Sequence, residues 1–75
     1  MEPEEEKLFA SEFDERTAAN MEVALERVCQ RLPASKQDHD TRRFIAERII
    51  DAARKGHTRL GELTAAGVQA LNQLP

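Results

Sequence analysis

The 75-residue sequence predicts an all-α fold, a compact three-helix bundle behind a flexible acidic N-terminal arm. Three observations predict it. Apolar residues recur at helical spacing, about 100° per residue, in three separate segments. Pro33 and Gly56 stand between those segments, where helices stop. Charged residues make up 33% and apolar ones 40%, a globular composition rather than a disordered one.

Residues 1–12 are assigned to the arm and 13–75 to the helical domain. The arm, "MEPEEEKLFASE", places Pro3 before three glutamates, and both suit a short helix start. Its apolar content is small, so order is expected there only on docking. The first firm helix is expected over 14–32. Asp14 stands where a cap is needed, because its carboxylate can accept from backbone N–H groups that lack helical partners. Phe13 and Ala18 flank it as a hydrophobic staple. Thr17, Ala18, Met21, Ala24, Leu25, Val28, Cys29 and Leu32 share one face, and Val23 falls on the polar side.

"PASKQDHD" is a polar connection. Asp38 or Asp40 caps the second helix, expected over 41–55 with Gly56 just past its end. Ile45, Ala46, Ile49, Ile50, Ala52 and Ala53 cover a wide arc of it, as in the central member of a bundle or one that also meets a partner. Phe44 points away from most of that arc, towards Arg48, Asp51 and Lys55. The third helix is expected over 59–74 with Thr58 as its cap. Leu60, Leu63, Gly67, Ala70, Leu71 and Leu74 form its stripe, and Ala66, Gly67 and Ala70 are small enough to admit a close neighbour. Gly61 and Gly67 each lower helix propensity by about 1 kcal/mol against Ala, so packing has to hold this helix. Below about 80 residues a single core is thin. Leftover apolar surface is therefore expected, with self-association to cover it.

The net charge of −3 is unevenly spread. Residues 1–15 carry seven acids against one lysine, and residues 41–59 carry six Lys or Arg against two acids. That excludes a uniformly basic nucleic-acid binder. Arg42, Arg43, Arg48, Arg54, Lys55 and Arg59 nonetheless define an alternative, weak phosphate binding by the second helix. With Tyr and Trp absent, Phe9, Phe13 and Phe44 are the aromatics, which leaves little surface for stacking on bases.

Other chemistries find little support. "TRLGELTAAGVQAL" looks superficially like the opening of a helix-turn-helix, but too few residues follow Val68 for a recognition helix. The "DHD" at 38–40 and His57 lack the spacing of a metal site, so no metal or other cofactor is expected. There is no Gly-rich phosphate loop and no nucleophile with an evident base, so no enzyme is expected. Cys29 is alone on the apolar face and reads as core packing in a reducing compartment. No signal-peptide pattern and no membrane-spanning apolar run is visible, which suits a cytoplasmic protein.

The run "FDERT…AL…VC…L…R…IAERIIDAA..G…L..L…AL" resembles small helical proteins of unknown function encoded in alphaproteobacterial genomes. The likeness covers residues 13–74, with "AERIIDAARKG" its most distinctive part. It implies an all-helical fold and a bacterial cytosol, and it assigns no activity, ligand or site residue.

The functional expectation is a non-enzymatic interaction module, a homodimer or a binder of another protein, with contacts through Phe44, Arg48, Ile50 and Lys55. Isologous pairing would set this basic helix against a neighbour's acidic arm. Leu8, Phe9 and Phe13 are the arm's candidate anchors. They bind a partner's groove, fold back on the second helix, or belong to a solubilising tail.

Overall fold

The computed structural model describes residues 13–74. Three helices, α1 (Glu15–Cys29), α2 (His39–Arg54) and α3 (Leu60–Asn72), pack as an all-α bundle, with a short 3₁₀ turn, Ala34–Lys36, between α1 and α2. Residues 1–12 and Pro75 lie outside the described residues, and with them Leu8 and Phe9.

Asp14 is the N-cap of α1, but its carboxylate makes no capping hydrogen bond. Its backbone carbonyl accepts from Ala18 N–H at 2.8 Å instead. The regular helix ends at Cys29, and two tighter turns carry the chain on: Arg31 N–H donates to Val28 O at 3.0 Å and Leu32 N–H to Cys29 O at 3.1 Å. Leu32 thereby stays in the core before Pro33 turns the chain out.

Asp38, rather than Asp40, caps α2, its Oδ1 accepting from Thr41 N–H at 2.9 Å. At the other end Gly56 has φ 97°, a left-handed conformation that costs a residue without Cβ little. His57 N–H then reaches back to Ala52 O and Gly56 N–H to Ala53 O, both at 3.0 Å, the paired bonds of a Schellman ending. The expected cap of α3 shifts by one residue. Arg59 takes the N-cap position, and Glu62 Oε1 accepts from its N–H at 3.3 Å. The Thr58 carbonyl accepts from Asn20 Nδ2 at 3.2 Å, which ties the α2–α3 connection to α1.

These contacts fix the layout. Arg42 reaches Glu26 at 3.0 Å, so α2 starts where α1 ends and runs back antiparallel to it. Asn20 beside Thr58, and Gly67 against Val28, set α3 parallel to α1 on the other side. All eight residues assigned to the inner face of α1 are buried, as are Ile45, Ala46, Ile49, Ile50 and Ala53 of α2. Of the two readings of α2's wide arc, central member of the bundle or helix that also meets a partner, the first does not hold. α3 packs extensively on both neighbours, because Leu63, Gly67 and Ala70 let it sink between them. No helix among the described residues is long and apolar enough to cross a membrane.

Asp38 and Glu62 give the fold an acid limb. Hydrogen bonds from the Thr41 side chain and backbone hold the Asp38 carboxyl below its ordinary 3.8. The His57 side chain and the Arg59 N–H do the same for Glu62 against its ordinary 4.5. A carboxyl lowered on folding contributes stability above its unfolded value and loses it as pH falls through the folded one. Stability is expected to decline as pH falls through the carboxyl range, and the Asp38→Asn/Glu62→Gln double variant to decline less steeply, as thermal melts would show. Superimposable acid limbs would show that these two groups are not responsible.

Candidate functional site

Along α2, Phe44, Arg48, Asp51 and Lys55 follow one another at i, i+4, i+7 and i+11, so they form a single edge. The Arg48 guanidinium lies over the Phe44 ring, 5.8 Å from its centroid, and bonds Asp51 at 3.1 Å. Phe44 itself is half-buried and packs against the core, not away from it. Lys55 is exposed and has no carboxylate partner among the described residues.

This edge forms one lip of an open groove of about 400 Å³ between α2 and α3. The opposite lip is Glu62, Gln69 and Gln73, with His57 closing the loop end. Its floor is Ala52, Ala66 and Ala70, with Ala65 exposed at the rim. The groove stays open because three methyl side chains stand where larger residues would have filled the space between two helices. His57 Nδ1 is 3.1 Å from Glu62 Oε2, and the other Glu62 oxygen takes the Arg59 N–H, so with Asp51 bonded to Arg48 both acids of the groove are engaged, and among the described residues Lys55 is its unpaired charge.

Three of the four expected contact residues, Phe44, Arg48 and Lys55, thus belong to this edge. Ile50 does not belong to it. It is 8% exposed, in the core with Ile45 and Ile49, which are both at 0%. The apolar surplus expected on α2 is absent, since its isoleucines are covered within one chain. Among the described residues Val23, at 42%, is the exposed large apolar side chain, and it stands alone on α1. The core is thin in number of side chains, but close helix approach lets those side chains cover one another. Small residues on α3 bring it close enough to cover the other two. Ile50→Ala is accordingly expected to cost about 2 kcal/mol of stability, as core truncations do. An unchanged denaturation midpoint would return Ile50 to the surface.

The basic residues do not form one stripe. Helical spacing puts Arg48 and Lys55 on the α3 side of α2, and Arg43 and Arg54 on another flank. Arg42 turns to Glu26, and Arg43 lies 3.5 Å from Glu47. A phosphate backbone would meet interleaved charges of both signs.

Cys29 is buried in the core. No three His, Cys, Asp or Glu side chains converge on a metal-sized space among the described residues. The alanine floor was the part missed in the sequence. Ala52, Ala66 and Ala70 were noted singly, but their meeting across two helices has no signal in local spacing.

Comparison with family models, with curated proteins and with solved structures gives no match.

Proposed function

We propose that the chain is a non-enzymatic protein-interaction module that receives an amphipathic helix of another protein in the α2–α3 groove. The observation that carries this reading is the alanine floor between two helices, bordered by the Phe44–Arg48–Lys55 edge. A guest helix can approach an alanine surface closely and bury its own larger anchors there. Lys55, beside that floor and unpaired among the described residues, favours an acidic flank on the guest and sets its direction. The groove is small, which suits a weak, reversible contact rather than an obligate one.

The test is a titration of the isotope-labelled full chain with a synthetic acidic helical peptide bearing Leu at i, i+4 and i+7. Amide shifts are expected at Ala52, Ala65, Ala66 and Gln69, weakened by Lys55→Glu and abolished by Ala65→Trp, which fills the groove from an exposed position. Absence of shifts, or shifts scattered over α1, would defeat the reading. The same shifts appearing without peptide as protein concentration rises would make the guest a second copy of this chain.

A further inference from the structure

One outer face of the bundle is formed by α1 and α3. Asn20 bonding the Thr58 carbonyl, and Val28 against Gly67, mark the flank of α1 that adjoins α3. Arg16, Asn20, Val23 and Arg27 follow one another there at i, i+4, i+7 and i+11, and Arg31 continues the edge in the tighter turn beyond. Arg16, Arg27 and Arg31 are exposed and have no carboxylate partner among the described residues. Helix stability does not account for Arg16, since a cation in a first turn opposes the helix dipole. The acids of α1, Glu15, Glu22 and Glu26, fall on its other flank, where Glu26 meets Arg42.

On α3, Leu60, Thr64, Val68 and Leu71 follow one another at i, i+4, i+8 and i+11, and all four are half-buried. The buried Leu63, Gly67 and Ala70 separate them from the groove-lining Glu62, Ala66 and Gln69, so they stand on the α1 flank. The Thr64 hydroxyl donates to Leu60 O at 2.8 Å, which commits its proton within the helix. Glu62, the acid of α3, belongs to the groove. The α1–α3 face therefore joins an aliphatic strip, Val23 with Leu60, Val68 and Leu71, to three arginines, with no Asp or Glu on it among the described residues.

We propose that this face is a second docking surface, which takes an acidic amphipathic segment of a partner protein. Unpartnered positive charge decides the sign of the occupant. The aliphatic strip decides its class. A nucleic acid would leave the strip uncovered, and the face carries no aromatic ring on which a base could stack. A bilayer holds a protein through bulky side chains sunk below its headgroups, whereas the leucines and Val68 here are half-buried. A protein segment with its own leucines covers the strip while its carboxylates reach the arginines, and arginine is enriched at such contacts. The groove lies on the opposite flank of α3, so both surfaces can be occupied at once and this inference does not depend on the groove reading.

The experiment titrates the isotope-labelled full chain carrying Ala65→Trp, which closes the groove. The probe is a synthetic helical peptide with Leu at i, i+4, i+7 and i+11 and glutamates on both sides of that stripe. Amide shifts are expected at Val23, Arg27, Thr64 and Val68. Arg16→Gln/Arg27→Gln is expected to weaken binding roughly fivefold, as the loss of two exposed ion pairs does. Arg43→Gln/Arg54→Gln, the same loss of charge from α2, is expected to leave it unchanged. Val23→Glu, at an exposed position, sets a carboxylate one turn before Arg27 and is expected to abolish it. Absence of these shifts would overturn the proposal, and so would equal weakening by the two double variants. Tighter binding to phosphatidylcholine–phosphatidylglycerol vesicles or to a single-stranded oligonucleotide than to the peptide would overturn it as well, by making the face a phosphate reader. Movement of the same signals before peptide is added, on dilution or in the Leu8→Ala/Phe9→Ala variant, would instead place a second copy or the chain's own N-terminal segment there. Groove binding in the chain without Ala65→Trp is a separate readout, so either surface can fail alone.

Discussion

Replacing Gly67 by valine is expected to leave the bundle largely unfolded at room temperature. A Cβ at this position would lie 2.7 Å from Val28 Cγ2 and 3.4 Å from Ile49 Cδ1. Both neighbours are at 0% exposure, and a valine in a helix has essentially one rotamer, so Val28 cannot step aside. Relief would require α3 to move off α1. Gly67→Ala separates the two effects that compete here. Alanine gains about 1 kcal/mol of helix propensity, and overpacking a filled core costs about 1–3 kcal/mol. At 2.7 Å, with a stiff neighbour, the cost wins, and a fall of several degrees in Tm is expected. Valine adds two methyls to the same contact, and its cost approaches the roughly 3–5 kcal/mol available to a core of this size. Gly61→Ala is the control. Nothing lies within 4 Å of the Cβ it would add, so the propensity gain stands unopposed and Tm is expected to rise. The coupling is also testable. Gly67→Ala is expected to be far less harmful in a Val28→Ala background, where the obstructing methyl is gone. A Gly67→Ala variant that melts above the native chain would show that the helices are not in contact there.

Leu63→Ala is the second large effect. Leu63 is at 0% exposure and is among the largest fully enclosed side chains. It is the one long side chain that α3 buries completely, since Gly67 and Ala70 complete its buried stripe. Removing it leaves a cavity at the centre of all three helices, a change that costs about 2–5 kcal/mol. Against a total of about 3–5 kcal/mol, the variant is expected to be mostly unfolded near 37 °C. Leu60→Ala, at a half-buried position one turn earlier, is expected to melt within a few degrees of the native chain. Urea denaturation followed by far-UV circular dichroism measures both. Equal midpoints for the two variants would mean that α3 does not dock through Leu63.

Helix identity was legible in the sequence where one signal repeats. The inner face of α1 was readable residue by residue from Thr17 to Leu32, and Gly56 marked the end of α2. Caps were less legible, because several polar residues compete within two positions and a side chain bonds only if the chain direction allows it. Asp14 occupies a cap position without a side-chain bond, and Arg59 rather than Thr58 takes the cap of α3. Of the candidate contact residues, Phe44, Arg48 and Lys55 were readable as one edge of a helix. The burial of Ile50 was not.

From the chain alone, then, come the helical class, the three amphipathic segments and their stops, and the separation of acidic from basic charge. Each depends on neighbours within a few positions, where periodicity and capping act. Which helix is central, how much of the isoleucine face remains uncovered, and where a groove opens were decided only in three dimensions. These depend on how closely two helices approach. That distance is set by pairs such as Gly67 and Val28, far apart in the chain, whose sizes matter only once they meet.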